Sequence, residues 1–318
     1  MSLNVLRYRH EGRAHWGIVR NGLITPIPGS FDSTGAFIEA NPLGQLAALT
    51  GPTVPEADVQ WLSPVTPDQQ FICQGANYRQ HMIESGMNPD AKAYNMVFTK
   101  APSCIVPADS DLVRPRHVRF LDYEIELGLV FRQSISSRQS VTDDNLHEYV
   151  AGAVIVNDYS ARDVQIPQMQ FYKGKSYRTF GPVGPYLCLL EPREIGLLKK
   201  LRLTLTVNGA IRQNDSTSNL VYGFAETLSE LSGVHDLRAG DLLSTGTPSG
   251  CALSVPSPAK QRVAALLPEA SRWRLFMKIQ AARSQYLKPG DVVESRIVSE
   301  DGSINLGAQR NRVVEEAA

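Results

Sequence analysis

Apolar and polar residues alternate along Leu121-Asp-Tyr-Glu-Ile-Glu-Leu127. In a strand, residues two apart point the same way, so Asp122, Glu124 and Glu126 leave one face while Leu121, Tyr123, Ile125 and Leu127 leave the other. A second apolar run, Ala151 to Val156, ends in the polar string Asn157-Asp-Tyr-Ser-Ala-Arg-Asp163. Nearer the start, Val5–Tyr8, His15–Arg20 and Leu23–Ile27 read as short strands separated by Glu11-Gly12 and Asn21-Gly22, the second a strong hairpin-turn pair. A helix is expected over Thr34–Leu49. Prolines 52, 55, 64 and 67 then mark a linker, which puts a boundary near residue 66. A small α+β domain (1–66) would precede a larger one (67–318).

In the larger part, strands are expected at Asp122–Phe131, Ala151–Val156, Leu201–Val207, Leu242–Ser244 and Asp291–Ile297. Helices are expected at Asp144–Tyr149, Val221–Leu231 and within Lys260–Leu287. Strands with a few interspersed helices, without regular alternation, predict an α+β fold over a doubly wound sheet. No repeat of fixed period is visible.

Composition removes several functions. The 318 residues hold 32 Lys+Arg and 32 Asp+Glu, so no net charge draws the chain to nucleic acid or to a membrane surface. No apolar stretch reaches the length of a membrane span, and the first residues lack a signal peptide's apolar core. Cys73, Cys104, Cys188 and Cys251 are scattered without metal-site spacing and read as reduced thiols of a cytoplasmic protein. No P-loop or Gly-x-Gly-x-x-Gly after a strand is present, which argues against a nucleotide cofactor.

The acidic strand face is the strongest chemical signal. An ordinary half-exposed strand also places carboxylates in water, but three in a row on one face crowd like charges. If Asp158 at the end of the second run meets Glu124 and Glu126, a divalent cation is needed to hold them together. An all-oxygen set suits a hard cation and disfavours zinc. His81 and Glu84 stand three apart, one helical face. A carboxylate there would orient the imidazole and raise its basicity, although such pairs are common on surfaces. Gly174-Lys175-Ser176 and Ser244-Thr-Gly-Thr247-Pro-Ser-Gly250 are turns that either hold an anion or simply reverse the chain.

In order, Asn77-Tyr78…His81…Glu84, Asp122-Tyr-Glu124-Ile-Glu126-Leu, Asn157-Asp158-x-Ser-Ala-Arg162-Asp163-x-Gln165, Gly174-Lys175-Ser176, Val207-Asn-Gly209, Gly246-Thr247-Pro-Ser-Gly250 and Leu287-Lys-Pro-Gly-Asp291-Val-Val together resemble the fumarylacetoacetate hydrolase family. They run from about residue 70 to the C-terminus. The resemblance implies a rolled, mixed β-sheet catalytic domain, a small N-terminal domain and a homodimer. It implies Mg²⁺ or Mn²⁺, with Ca²⁺ an alternative, on Glu124, Glu126 and Asp158; Asp122, on the same strand face, is the residue that could replace one of them.

The implied substrate is a small 1,3-dicarbonyl acid such as an acylpyruvate, cleaved at a C–C bond. His81, oriented by Glu84, would activate water. Arg162, Gln165 and Lys175 resemble residues that hold the substrate carboxylate and the oxyanion, and Tyr78 and Thr247 resemble substrate contacts. A 2-oxoacid decarboxylase, an enol-acid hydratase or an isomerase acting through the same enolate is the alternative. A non-catalytic metal or sugar-acid binder would not need the ligands, the His–Glu pair and Lys175 together.

The segment Tyr78–Asn95 is expected to be a lid. One departure from the family is a long segment between Gly250 and Leu287. Its apolar spacing, broken at Pro268, predicts two short amphipathic helices. They would either thicken an outer or dimer contact, or lie over the site and favour a bulkier, more apolar acyl group.

Overall fold

Turn chemistry fixes the hairpins that open the chain. A computed structural model describes residues 2–256, 262–264 and 266–317. In it Glu11-Gly12, Asn21-Gly22 and Asn208-Gly209 each place two successive residues at positive φ, between 49° and 79°. That is the backbone of the tight turns that match strand twist. Leu3–His10, Arg13–Arg20 and Leu23–Pro26 pair antiparallel through the first two of them.

These N-terminal strands do not stand apart from the rest. Leu3–His10 pairs with Tyr186–Leu189, so one 11-stranded sheet passes from them through Val150–Asn157, Ile125–Phe131, Leu242–Ser244 and Phe71–Gly75 to Met96–Lys100. Leu242–Ser244 runs parallel to Phe71–Gly75 while its other neighbour is antiparallel, which makes the sheet mixed. A five-stranded sheet is ordered Ala210–Ser216, Leu201–Val207, Val292–Ser299, Asn305–Glu315 and Leu112–Arg114.

The main core fills the space between the sheets. Leu127, Leu129 and Ile155 from the first meet Leu203, Leu205 and Ile297 from the second, all fully buried. Every residue of Ile125–Phe131 and Val150–Asn157 is buried, as expected of strands covered on both faces. Leu201–Val207 alternates buried and more accessible positions, the pattern of a sheet with one wet face. Helix makes up 25% and strand 34%, the α+β composition expected from the sequence.

Two expected elements divide. The helix over Thr34–Leu49 is two helices, Thr34–Ala40 and Leu43–Ala47, because Pro42 cannot continue the first. The strand over Asp122–Phe131 breaks between Asp122 and Ile125. The amides of Glu124 and Ile125 donate to the side chains of Asn157 and Gln213, both at 3.0 Å, instead of to a ladder. Of the two helices expected beyond Gly250, the second is Glu269–Ala281, starting after Pro268. The first lies partly outside the described residues.

Candidate functional site

The break in the acidic strand is where the charged side chains gather. Asp122 pairs with Ser160 and Ile125 with Asn157, so the same register sets Glu124 opposite Asp158 across the gap. Cross-strand partners share a face, and Glu126 lies two residues along on the same side. Glu124, Glu126 and Asp158 each bring a carboxylate oxygen within 4.8 Å of the other two, and all three are buried. Asp122 is elsewhere engaged. Its oxygens accept the amides of Ala252 (2.7 Å) and Leu253 (2.9 Å) and the Nε of Arg162 (2.8 Å).

Three cations are threaded among these acids. Lys175 Nζ donates to Glu124 Oε2 (2.5 Å), Asp158 Oδ2 (2.6 Å) and Ser160 Oγ (2.8 Å), using all three of its hydrogens. Arg162 spans Asp122, Glu124 and Gln165. Lys100, which the sequence reading missed, donates to Asp158 Oδ1 at 2.6 Å and to the Phe180 carbonyl at 2.8 Å while fully buried. The only signal for it was a lysine closing an apolar strand.

The balance leaves one acid without a cation. Burial pushes the Glu124 carboxyl up, but Arg162 and Lys175 outweigh it and hold it below the ordinary carboxylate range. Glu126 has no such partner; burial, with Asp158 and Glu124 beside it, raises it to about 8. Glu126 Oε2 accepts from Ser244 Oγ (2.5 Å) and the Gly246 amide (3.0 Å), while Oε1 has no donor among the described residues. Burial lowers the Lys175 ammonium, but Asp158 and Glu124 more than restore it, so it stays charged. A trio of buried carboxyl groups, one of them without a basic partner and raised for want of one, fits a hard divalent cation.

A cavity of about 230 Å³ opens onto this trio. Gln165 and Thr247 line it, with His81 on its wall and Phe98 and Phe171 beside Lys175. Gln165 Oε1 is held by Arg162, which leaves its amide NH₂ without an acceptor among the described residues. The Thr247 hydroxyl donates to the Ile125 carbonyl at 2.9 Å and accepts from Gln213 at 2.8 Å, so it fixes the turn first. Half-buried His81 sits on the helix Arg79–Glu84. Burial lowers its pKa and Glu124 draws it partly back, which leaves a neutral imidazole near pH 7.

Two residues expected at the site are not brought to it. Tyr78 is fully buried in the main core, off the cavity lining, because it precedes the helix on the inward side. Glu84 is exposed and accepts from Gln80 Nε2 at 3.3 Å; no His81–Glu84 hydrogen bond forms among the described residues. His81, Glu124 and Cys251 also converge within 4.8 Å. There the Cys251 Sγ lies 3.7 Å from the same Glu124 oxygen that Arg162 holds, and burial raises the thiol, so a cation would face a guanidinium. All four cysteines are buried free thiols, and no described helix is long and apolar enough to cross a membrane.

Known proteins resemble this chain in sequence and in fold. A hydrolase acting on 2,4-didehydro-3-deoxy-L-rhamnonate, from a Sphingomonas strain, is 31% identical over 311 residues, 97% of this chain and 95% of that protein. The oxaloacetate tautomerase YisK of Bacillus subtilis is 37% identical over 197 residues, 61% of this chain; the match spans 64% of the tautomerase, less than two thirds of its length. Maleylpyruvate hydrolase from Sphingobium, solved with manganese(II) and pyruvate, superposes with a TM-score of 0.69 over 99% of this chain and 100% of its own, at 20% identity. Residues 5–64 match the family described as Rv2993c-like, N-terminal. Residues 70–314 match the fumarylacetoacetate (FAA) hydrolase C-terminal family, whose relatives include hydrolases, isomerases and tautomerases, and the chain belongs to that family.

Proposed function

We propose that this chain is a divalent-cation-dependent hydrolase that cleaves a C–C bond in a small 1,3-dicarbonyl acid of the acylpyruvate kind. The observation that carries the reading is a buried carboxyl trio, one member without a basic partner, facing a neutral histidine across one cavity. Glu124, Glu126 and Asp158 would hold Mg²⁺ or Mn²⁺. A cation bound there supplies a Lewis acid that polarises the substrate's carbonyls and favours charge on the departing oxygen. The manganese and pyruvate in the Sphingobium enzyme support this choice of cation and product.

The protein's own groups then divide the work. The free NH₂ of Gln165 orients the substrate carboxylate. His81 accepts a proton from water as the water oxygen attacks the distal ketone. The bond between the ketone carbon and the central methylene breaks, its electron pair stays on the departing pyruvate enolate, and the imidazolium returns the proton to the former methylene carbon, giving pyruvate. Lys175, its three hydrogens spent within the cluster, and Arg162 hold the carboxylates in place; Lys175 reaches substrate only by exchanging one of its three partners.

One observation favours the second reading, an enol–keto isomerase or decarboxylase. Glu84 is turned to Gln80 and not to His81, so the water-activating pair is unassembled in this conformation. The experiment that separates the readings follows loss of 1,3-dicarbonyl absorbance for several acylpyruvates, beside enol–keto exchange and pyruvate formation with oxaloacetate, each with Mg²⁺ and Mn²⁺. Acid and pyruvate in equal amounts support the hydrolase. Oxaloacetate turnover with intact acylpyruvates overturns it. The homodimer belongs to the same proposal, and the mass of the chain in solution tests it.

A further inference from the structure

The segment beyond Gly250 builds a second, apolar recess against the carboxylate cavity. Ile166, Leu253 and Val255 wall both spaces. Across from them the helix Glu269–Ala281 presents Trp273, Phe276 and Ile279, enclosing about 350 Å³. These three positions recur at helical spacing on one side. Trp273 and Phe276 meet edge to face with ring centroids 5.9 Å apart. Arg272 is the sole charged residue among the described lining, and its guanidinium lies 5.7 Å over the Trp273 ring. Leu275 and Ile279 are each 41% exposed, apolar area left in water unless something covers it.

The recess is held at a fixed distance from the trio. Ile166 stands one helical turn from Arg162, which bonds Glu124. Leu253 and Ala252 are pinned through their amides to Asp122, the other partner of Arg162. From the far side, Arg283 Nε donates to the Ala252 carbonyl (2.6 Å) and buried Gln280 donates to the Ser254 carbonyl (2.9 Å). Gln280 also accepts from Tyr286 (2.7 Å), so its polar atoms are spent.

We propose that this recess receives the apolar tail, aryl or medium-chain alkyl, of a 2-oxo acid whose chelating end lies at Glu124, Glu126 and Asp158. The inference rests on the cation-chelate reading above and adds the substrate class. An apolar recess continuing from a few convergent polar groups is the usual division of labour in small-molecule sites. Each methylene buried there tightens binding about fourfold.

Oxamate, a non-reactive 2-oxo acid mimic, tests the recess whatever reaction the site performs. Calorimetry on the full chain loaded with Mg²⁺ compares oxamate with N-hexyl- and N-phenyloxamate. At least one tail should tighten binding tenfold or more, and Phe276→Ala and Ile279→Asp, each checked for unchanged thermal unfolding, should cut that gain below threefold. Oxamate binding without gain from either tail overturns the recess and leaves the chelate reading standing. No binding of any oxamate overturns the chelate reading and the recess with it. A gain kept in both variants overturns the recess, as does an Ile279→Asp chain that merely dissociates from dimer to monomer, which would give this face to a second copy.

Discussion

Glu124, Glu126 and Asp158 stand on or beside two strands whose every residue is buried, whereas His81 stands on a helix half in solvent. The first wall is locked by Lys100, Arg162 and Lys175, each buried and paired. The second is tied down by exposed ion pairs, Arg79–Asp90 at 2.6 Å and Lys92–Glu226 at 2.7 Å. Pairs in water contribute little, because solvent competes for both partners and ordering long side chains costs entropy. Removing one member of a buried pair strands a charge in a low-dielectric interior. The site therefore joins a rigid, preorganised wall that fixes the cation to a loosely held one that can adjust to substrate.

The comparison breaks most visibly at the rigid wall. Glu124→Ala leaves Arg162 and Lys175 without their shared carboxylate, and should cost about 3–5 kcal/mol of stability in urea unfolding. Metal analysis of the same variant should find cation and turnover lost together. A stable variant that keeps its cation would mean that the buried charges are not arranged around that position.

On the His81 wall the expected losses are catalytic. His81→Ala should lower turnover by about 10²–10⁴ with cation content and unfolding midpoint unchanged. A loss of tenfold or less points to enolate chemistry without an activated water. Glu84→Gln sharpens the contrast. If the segment Tyr78–Asn95 closes to bring Glu84 onto the imidazole, kcat should fall roughly tenfold with KM little changed, less than the loss of the base itself because Glu84 only orients it. An unchanged kcat means that Glu84 remains the surface residue it is here. The smallest effect belongs to Arg79→Ala, expected to leave the urea unfolding midpoint nearly unchanged, because both Arg79 and its partner Asp90 are in water.

What could be read in advance follows the same division. Glu124 and Glu126 were legible because strand periodicity places them together, and Asp158 because it closes an apolar run. The register carries across the break at Glu124, so the period still places it. Asp122 obeyed the same period, yet serves as an anchor for Ala252 and Leu253, since a long-range backbone contact 130 residues away leaves no local trace. Lys100 was missed for a related reason: a buried lysine and an exposed one at a strand end look alike until the partner's position is known. Tyr78 came from the family pattern and Glu84 also from its spacing to His81, and neither says which way the side chain points. Pro42, which divides the helix expected over Thr34–Leu49, is a break visible in the sequence itself.

The central claim is that the trio binds one hard cation and that Glu126 carries the charge it neutralises. A proton and the cation compete for Glu126, whose carboxyl is raised to about 8. Affinity should therefore rise with pH, about tenfold per unit up to that value, and level off above it. Calorimetric titration of chelator-treated protein with Mn²⁺ at pH 7, in buffers of different ionisation enthalpy, reads both quantities at once. One cation per chain with release of close to one proton, both abolished in Glu126→Gln, is the predicted result. Saturable binding that survives Glu126→Gln, or no binding at any pH, would contradict it.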